Sequence, residues 1–449
     1  MKVLLVSANT LTEPYPVYPL GLDYVAGALA PEHQVLIADM NSLGGCDALG
    51  EMIRQFSPAV IGLSLRNIDN TDTTDPQGFF GHYRQIAKAI RKHSNALFVL
   101  GGSGFTIFPV EAMQALEADY GIIGEGERLA RLLGSVEKGE NLAEISGVIT
   151  RSNPTAFPVP WEGKIGRHFH ADRSYLPFYL KNGGMLNLQT QRGCRFNCIY
   201  CTYPHIEGHR LRLADPDEAA ATAIGLQKAG AKYLFVTDSV FNADCEHSLA
   251  VAEAFKKAGV SIPWCAFFAP LPMPDNYFKI MAAAGLTHVE FGTESLSDRV
   301  LTSYRKPFRV KNVLQAHRAA NDAGLYVAHY LLLGGPGETP ATFDETLANA
   351  ARLQRCVLFF FCGMRIYPHT ALYDMTVAEG QLSRNRNILE PVFYRPPAID
   401  TREMVRQVEQ QAQQRQNWVV GAGGKETADI IARLYERGRS GPLWEYLIR

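Results

Sequence analysis

"QTQRGCRFNCIYCTYP", residues 189–204, holds three of the chain's eight cysteines in the spacing C-x3-C-x2-C: Cys194, Cys198 and Cys201. Three thiolates so close can ligate three irons of a four-iron cluster. No further cysteine follows until Cys245. The fourth iron therefore keeps an open position, by the reasoning that separates catalytic from structural zinc. An electron-transfer ferredoxin would want a fourth cysteine nearby. The competing readings are a zinc knuckle and three unrelated core thiols.

The triplet falls just after "MLNLQTQ" (185–191), the first strand of a βα series. Further strands are expected at "YLFVTDS" (233–239), "PWCAFFA" (263–269), "HVEFGTE" (288–294), "YVAHYLLLGG" (326–335) and "LFFFCGMRIYP" (358–368). Helical patterns such as "PDEAAATAIGLQKAG" separate them. Six strand–helix units over residues 186–375 suit a partial (β/α)6 barrel of the TIM type. Upstream, residues 1–135 form a second βα series. Its strands, "KVLLVSA", "QVLIADM", "AVIGLSL", "ALFVLGG" and "YGIIGEG", are continuous apolar runs, as in parallel sheets buried on both faces. A doubly wound, Rossmann-like sheet follows, and such sheets bind ligands beyond the carboxyl ends of their strands. Residues 136–185 read as a connector, with "GVITRSN" a possible hairpin strand and the Pro- and aromatic-rich 154–179 draped between domains. Residues 376–449 read as helical packing.

The bulk numbers fit this plan. The chain has 449 residues, 47% hydrophobic and 20% charged, with a net charge of −1. This composition excludes a broad cationic face for nucleic acid and suits a globular enzyme. No apolar run is long enough to span a membrane. The opening "MKVLLVSANTLTEPYPVYP" reads as a β-strand, since its apolar run is too short for a signal peptide. The five scattered cysteines argue against a disulfide framework and for a reducing cytoplasm.

The triplet, with the aromatic Tyr200 just before its third cysteine and its place after the first strand of the series, resembles radical S-adenosylmethionine enzymes. The resemblance implies that Cys194, Cys198 and Cys201 hold a 4Fe–4S cluster whose open iron binds the amino and carboxylate groups of S-adenosylmethionine. Electron transfer then cleaves the sulfonium to give a 5′-deoxyadenosyl radical. Tyr200 would lie near the adenine. "FGTES" (291–295) resembles the fourth-strand segment, implying Glu294, with Ser295 behind it, at the ribose or methionine part. "TDS" (237–239) implies Asp238 at the methionyl amine. "LLLGGPGET" (331–339) resembles the glycine-rich fifth-strand segment, with Gly334 and Gly335 approaching the cofactor. The bland alternatives are a Glu at a helix N-terminus, where the dipole favours it, and a strand-to-helix turn capped by Thr339. "RIYPHTALYD" (365–374) is similar to one large branch of the family.

That branch often carries a cobalamin-binding domain in front, and residues 1–135 resemble one. "PLGLDYVAGAL" is similar to its first helix. "IGLSL" places Ser64 near a buried nucleotide tail, "LGGSGFTIFP" supplies Gly101 and Gly102, and "DYGIIGEGE" matches its fifth strand. Many such domains place a cobalt-ligating histidine after the first strand. Here "ANTLTEPYPVYPLG" has none, and the D-x-N-x-x-G from Asp39 to Gly44 lacks it as well. Cobalamin bound without a protein imidazole is the favoured reading; a fold that has lost the cofactor is the other. Arg66 and Asn67, after the third strand, become candidates near the lower side of the corrin, where a cation would disfavour a lower ligand.

The resemblance thus implies a cobalamin-dependent methyltransferase acting on an unactivated carbon. Two alternatives stand beside it: a radical rearrangement or cyclisation enzyme of the same build, and a non-enzymatic metal-binding interaction protein. The expected partners are a small-molecule substrate and an electron donor such as flavodoxin or ferredoxin, with neither nucleic acid nor a membrane span. His329, Tyr330 and Arg365 lie on expected strands, and Arg365 as a clamp would hint at an anionic substrate.

Overall fold

A computed structural model describes residues 1–12, 15–30, 32–140, 142, 145–150, 158–161 and 166–448. The first sheet contains β1 (Lys2–Ser7), β2 (Gln34–Asp39), β3 (Val60–Ser64), β4 (Leu97–Gly101), β5 (Tyr120–Ile122) and β6 (Val148–Thr150). Their order is β2-β1-β3-β4-β5-β6. All pairs are parallel except β5–β6, where Tyr120 faces Thr150. The continuous apolar runs are explained by burial on both faces. Val3 and Leu5 belong to one core, Leu4 and Val6 to the other. Alternation cannot show in a strand with two buried faces. Register sets Ser7 beside Ser64 and Ser64 beside Gly101, so the polar and small strand ends share one edge.

The second domain is built on β7 (Met185–Leu188), β10 (Tyr233–Val236), β11 (Trp264–Phe268), β12 (Leu286–Glu294), β13 (Tyr326–Leu333), β14 (Cys356–Cys362) and β15 (Trp418–Val420). They make a parallel sheet in the order β15-β14-β13-β12-β11-β10-β7. A two-stranded ribbon, β8 (Gln191–Arg192) with β9 (Arg212–Leu213), leads into and out of the cysteine loop. The six expected strands are present. β15 is a seventh, in a region expected to be helical; a three-residue Trp-Val-Val run after a Gln-rich helix is too short to register as a strand. Trp264, Ala266 and Phe268 pack outward against helices, whereas Tyr233, Phe235 and Cys265 face the lumen. β7 and β15 do not pair, so the barrel is open on that side. The C-terminal segment covers it: Gly441 N donates to Gly183 O at 3.1 Å, and Trp444 and Leu447 bury against Ala328, Val357 and Val419.

Part of the connector, 151–157 and 162–165, lies outside the described residues. The rest ties the domains together. Buried Asp23 pairs with Arg167 at 3.0 Å and Arg173 at 3.3 Å. Tyr179, on the helix Leu176–Lys181, donates to Asp39 at 3.0 Å. No helix among the described residues is long and apolar enough to cross a membrane.

Candidate functional site

The cysteine loop is braced from three sides. Cys194 N donates to Gly208 O at 3.1 Å, Ile199 N to Tyr304 O at 3.3 Å, and Leu372 N to Ile199 O at 2.8 Å. Gly193, with φ +86°, begins the loop; a Cβ there would stand 2.2 Å from Arg210 O, so no larger residue fits. None of the three cysteines is in a disulfide. Burial pushes the Cys198 thiol up and the Cys201 thiol to about 12. Such thiols reach the thiolate state when a bound cation stabilises it.

Beside the loop, Tyr200 donates to Glu294 Oε1 at 2.7 Å. Lys306 Nζ lies 3.4 Å from the same oxygen and 3.3 Å from the Tyr200 hydroxyl, and its charge favours the Cys198 thiolate. Burial works against the ammonium, but Glu294, Cys198 and Cys201 outweigh it and hold its pKa above the ordinary value. Glu294 ends β12 with φ +64°, an uncommon backbone for a non-glycine residue and one that aims its carboxylate at the loop. Sequence reasoning missed Lys306. A lone lysine in "SYRKPF" carries no pattern, and only the fold brings it to the cysteines.

The other expected barrel residues sit one layer back. Asp238 accepts from Thr190 N at 2.7 Å, Thr190 Oγ1 at 2.5 Å and Gln191 N at 3.2 Å, fixing the strand end that launches the cysteine loop. Burial raises its pKa to about 7 against those hydrogen bonds. Ser295 Oγ meets Thr346 Oγ1 at 3.1 Å and accepts from Ser297 N, all buried. Gly334 N donates to Glu338 and Gly335 N to the Tyr304 hydroxyl. Arg365 does not serve as an anion clamp. It pairs with Asp69 at 2.8 Å and donates to the carbonyls of Ile366, Val392, Ile388 and Leu389, so the hint of an anionic substrate loses its basis. His329 sits on the outer face of the sheet, in a chain from Thr293 through His317 to Asn321.

A cavity of about 830 Å3 opens between the domains. Ser7, Ser64, Arg66, Asn67, Gly101 and Gly102 line one wall; Asn187, Gln189, Arg192, Thr202 and Tyr203 line the other. The wall residues predicted on the first domain are thus gathered on one surface, and it faces the side that carries the cysteine loop. A slot runs down beside the sheet, lined by Leu5, Gly62, Val99 and Val25. Gly102 has φ +99°, and a Cβ there would stand 2.5 Å from Leu65 O. The cavity's edge is sealed by a buried ion network. Arg192 meets Glu125 at 3.3 Å and Glu127 at 2.7 Å, and Arg212 grips Glu125 with both terminal nitrogens.

Comparison with known proteins matches the same two regions. The model of the radical SAM superfamily matches residues 188–350, and the model of the B12 binding domain matches residues 6–133. The chain is a radical S-adenosylmethionine enzyme with a B12-binding domain in front. It is similar to an uncharacterized methyltransferase of Pyrococcus horikoshii, PH0819, 27% identical over 84% of this chain and 83% of that one. It is also similar to the tryptophan 2-C-methyltransferase of Streptomyces laurentii, 23% identical over 80% of this chain and 72% of the relative. Among solved structures, the radical S-adenosylmethionine methyltransferase TsrM of Kitasatospora setae superposes with a TM-score of 0.89 at 21% identity, over 99% of this chain and 97% of that one.

The donor set of this enzyme fits its cofactors. Among the described residues, the group of three His, Cys, Asp or Glu side chains whose donor atoms lie within 4.8 Å of one another is His317, His329 and Cys356. Cys194, Cys198 and Cys201 are therefore spread wider than one tetrahedral zinc would hold them, with S···S of about 3.8 Å from its bond length. Three thiols on one loop with no fourth cysteine beside them suit a cluster that keeps one iron open. For cobalamin, the small strand-end residues and the slot supply room for a large ring and a tail. Arg66 is exposed in the cavity. Asn9 Nδ2 is buried there without a partner. Asp39 faces Tyr179 instead and does not line the cavity.

Proposed function

We propose that the chain transfers a methyl group to an unactivated carbon of a small molecule held between its two domains, as a cobalamin-dependent radical methyltransferase. One observation carries this reading: a single cavity has the B12-domain strand ends on one wall and, on the other, Thr202 and Tyr203, which directly follow Cys201. The methyltransferase names of its relatives support it.

When bound, the cluster with S-adenosylmethionine supplies a primary carbon radical, and cobalamin supplies the methyl group. The chain's own residues position and enclose. Cys194, Cys198 and Cys201 would hold the cluster. Tyr200, Glu294 and Lys306 form a hydrogen-bonded cradle beside it, and Asp238 fixes the strand end before the loop. Ser64, Gly101 and Gly102 would admit the corrin's tail, with Arg66 and Asn67 beneath the ring. The Arg192–Glu125–Glu127 network closes the rim and keeps water out. The electron comes from a donor such as flavodoxin or ferredoxin. The eight free cysteines are those of a protein at work in a reducing cytoplasm.

The test is an inventory of protein purified without oxygen from cells fed cobalamin. Iron, sulfide and cobalt are counted, then S-adenosylmethionine and a reductant are added. About four irons and one cobalamin per chain are expected, with S-adenosylhomocysteine and 5′-deoxyadenosine as products. Iron and 5′-deoxyadenosine without cobalt would leave a radical enzyme that does not methylate. Zinc in place of iron would sink the reading.

A further inference from the structure

The lumen face of the barrel carries side chains that the reading above leaves unused. Phe267 is 37% exposed although it sits mid-sheet, and it turns into the lumen. Its ring lies 5.0 Å from Phe235 and 6.4 Å from Tyr330. Tyr330 stacks on Phe359 at 4.9 Å and 11°, and runs nearly parallel to Phe361 at 6.3 Å. These rings form an aromatic wall, met by Tyr15 of the first domain 6.5 Å from Phe235 and open to solvent at Phe267. Its floor is rigid. The Tyr330 hydroxyl donates to Glu290 Oε2 at 3.1 Å, and Trp444 Nε1 donates to Oε1 at 3.1 Å. Glu445 pairs with His288 at 3.0 Å and holds the tail in place.

At the mouth stands Asn187, on the lumen face of β7. It is 3% exposed and lines the interdomain cavity. Arg167 takes its main-chain oxygen, while its side-chain amide has no hydrogen-bond partner among the described residues. The amide faces the cavity, where a ligand can take the place of water as its hydrogen-bond partner. Three of the nearby cations are occupied, Arg192 by Glu125 and Glu127, Lys306 by Glu294 and Arg365 by Asp69, while Arg66 stands exposed on the B12-domain wall of the cavity.

We propose that this lumen is the substrate's specificity pocket and that it selects a neutral, flat aromatic ring whose polar edge pairs with Asn187. The proposal rests on the methyltransferase reading and deepens it. Aromatic walls favour a ring that stacks or meets them edge-on over a saturated group of the same bulk. The amide offers both a donor and an acceptor, so it rewards a ring bearing N–H or C=O and is left unpaired by one that lacks them. A phosphonate or carboxylate deep in the lumen would be a buried charge beside the Glu290 carboxyl, with Arg66 on the opposite, B12-domain wall of the cavity.

Calorimetry on the reconstituted holoenzyme tests this, with L-tryptophan, L-tyrosine, L-phenylalanine, L-cyclohexylalanine and 2-hydroxyethylphosphonate as probes. At least one aromatic probe is expected to bind about tenfold or more tightly than cyclohexylalanine, with the phosphonate weakest. Asn187→Ala weakens that probe about tenfold, and Phe267→Leu, an independent change in the wall, also weakens it. Iron and cobalamin content show that each variant is folded. Equal binding of aromatic and saturated probes, preference for the phosphonate, or no binding of any aromatic probe overturns the inference. If wild-type protein shows none of these preferences yet forms 5′-deoxyadenosine and retains cobalamin, the inference fails alone. If it does neither, the methyltransferase reading fails with it.

Discussion

Glu290 is a carboxyl buried at the centre of the barrel, where desolvation, opposed by hydrogen bonds from Trp444 and Tyr330, raises its pKa from 4.5 to about 7. Its ionised form therefore costs about 3 kcal/mol more in the folded protein than in the unfolded chain. The folded pKa lies above the unfolded one. The stabilisation from a protonated Glu290 is thus fully present below about pH 4.5 and is lost as pH rises through about 7. About 2 kcal/mol of that loss falls between pH 5.5 and 8. Glu290→Gln removes the titration but keeps the geometry: the amide oxygen can accept from Trp444, and its N–H can donate to the Tyr330 hydroxyl. Urea unfolding, followed by tryptophan fluorescence at several pH values, reads the difference. The variant is expected to gain about 2 kcal/mol on wild type between pH 5.5 and 8. Parallel curves for the two proteins across that range would refute the desolvation argument.

Other perturbations have outcomes as definite. Asp69→Ala leaves the Arg365 guanidinium buried without its carboxylate and should cost about 3–5 kcal/mol, whereas Asp69→Leu with Arg365→Met recovers most of it; chemical denaturation of the single and double variants checks this. Trp444→Ala should cost about 3–5 kcal/mol through the void under Ala328, Val357 and Val419 and the donor lost to Glu290; its signature is a lower melting temperature with unchanged iron content. Lys306→Met should leave cluster assembly intact and weaken S-adenosylmethionine binding about tenfold or more, because the Tyr200–Glu294 cradle loses its cation; equilibrium dialysis that finds the same affinity contradicts that role. Cys198→Ala should abolish iron and sulfide binding while far-UV circular dichroism stays near wild type.

The sequence by itself determined whatever depends on neighbours along the chain. The C-x3-C-x2-C spacing puts three thiols on one short loop in any fold. The continuous apolar runs required sheets buried on both faces, and the small and polar residues after β1, β3 and β4 marked the ligand-binding edge. Only the tertiary structure decided what depends on partners far apart. Lys306 reaches Cys198 and Glu294 because β12 and the cysteine loop converge, and nothing local distinguishes it from a surface lysine. Arg365 read as a possible clamp until the fold set Asp69, 296 positions away, against it. Asp238 and Ser295 sit one layer behind the cavity, where Thr190, Gln191, Thr346 and Ser297 take up their hydrogen bonds, and the motif does not say so. β15 and Trp444 close a lumen that residues 376–449 gave no sign of touching. A motif records which chemistry a loop can do, whereas the partner of a charge is fixed only when burial removes water and leaves one neighbour to replace it.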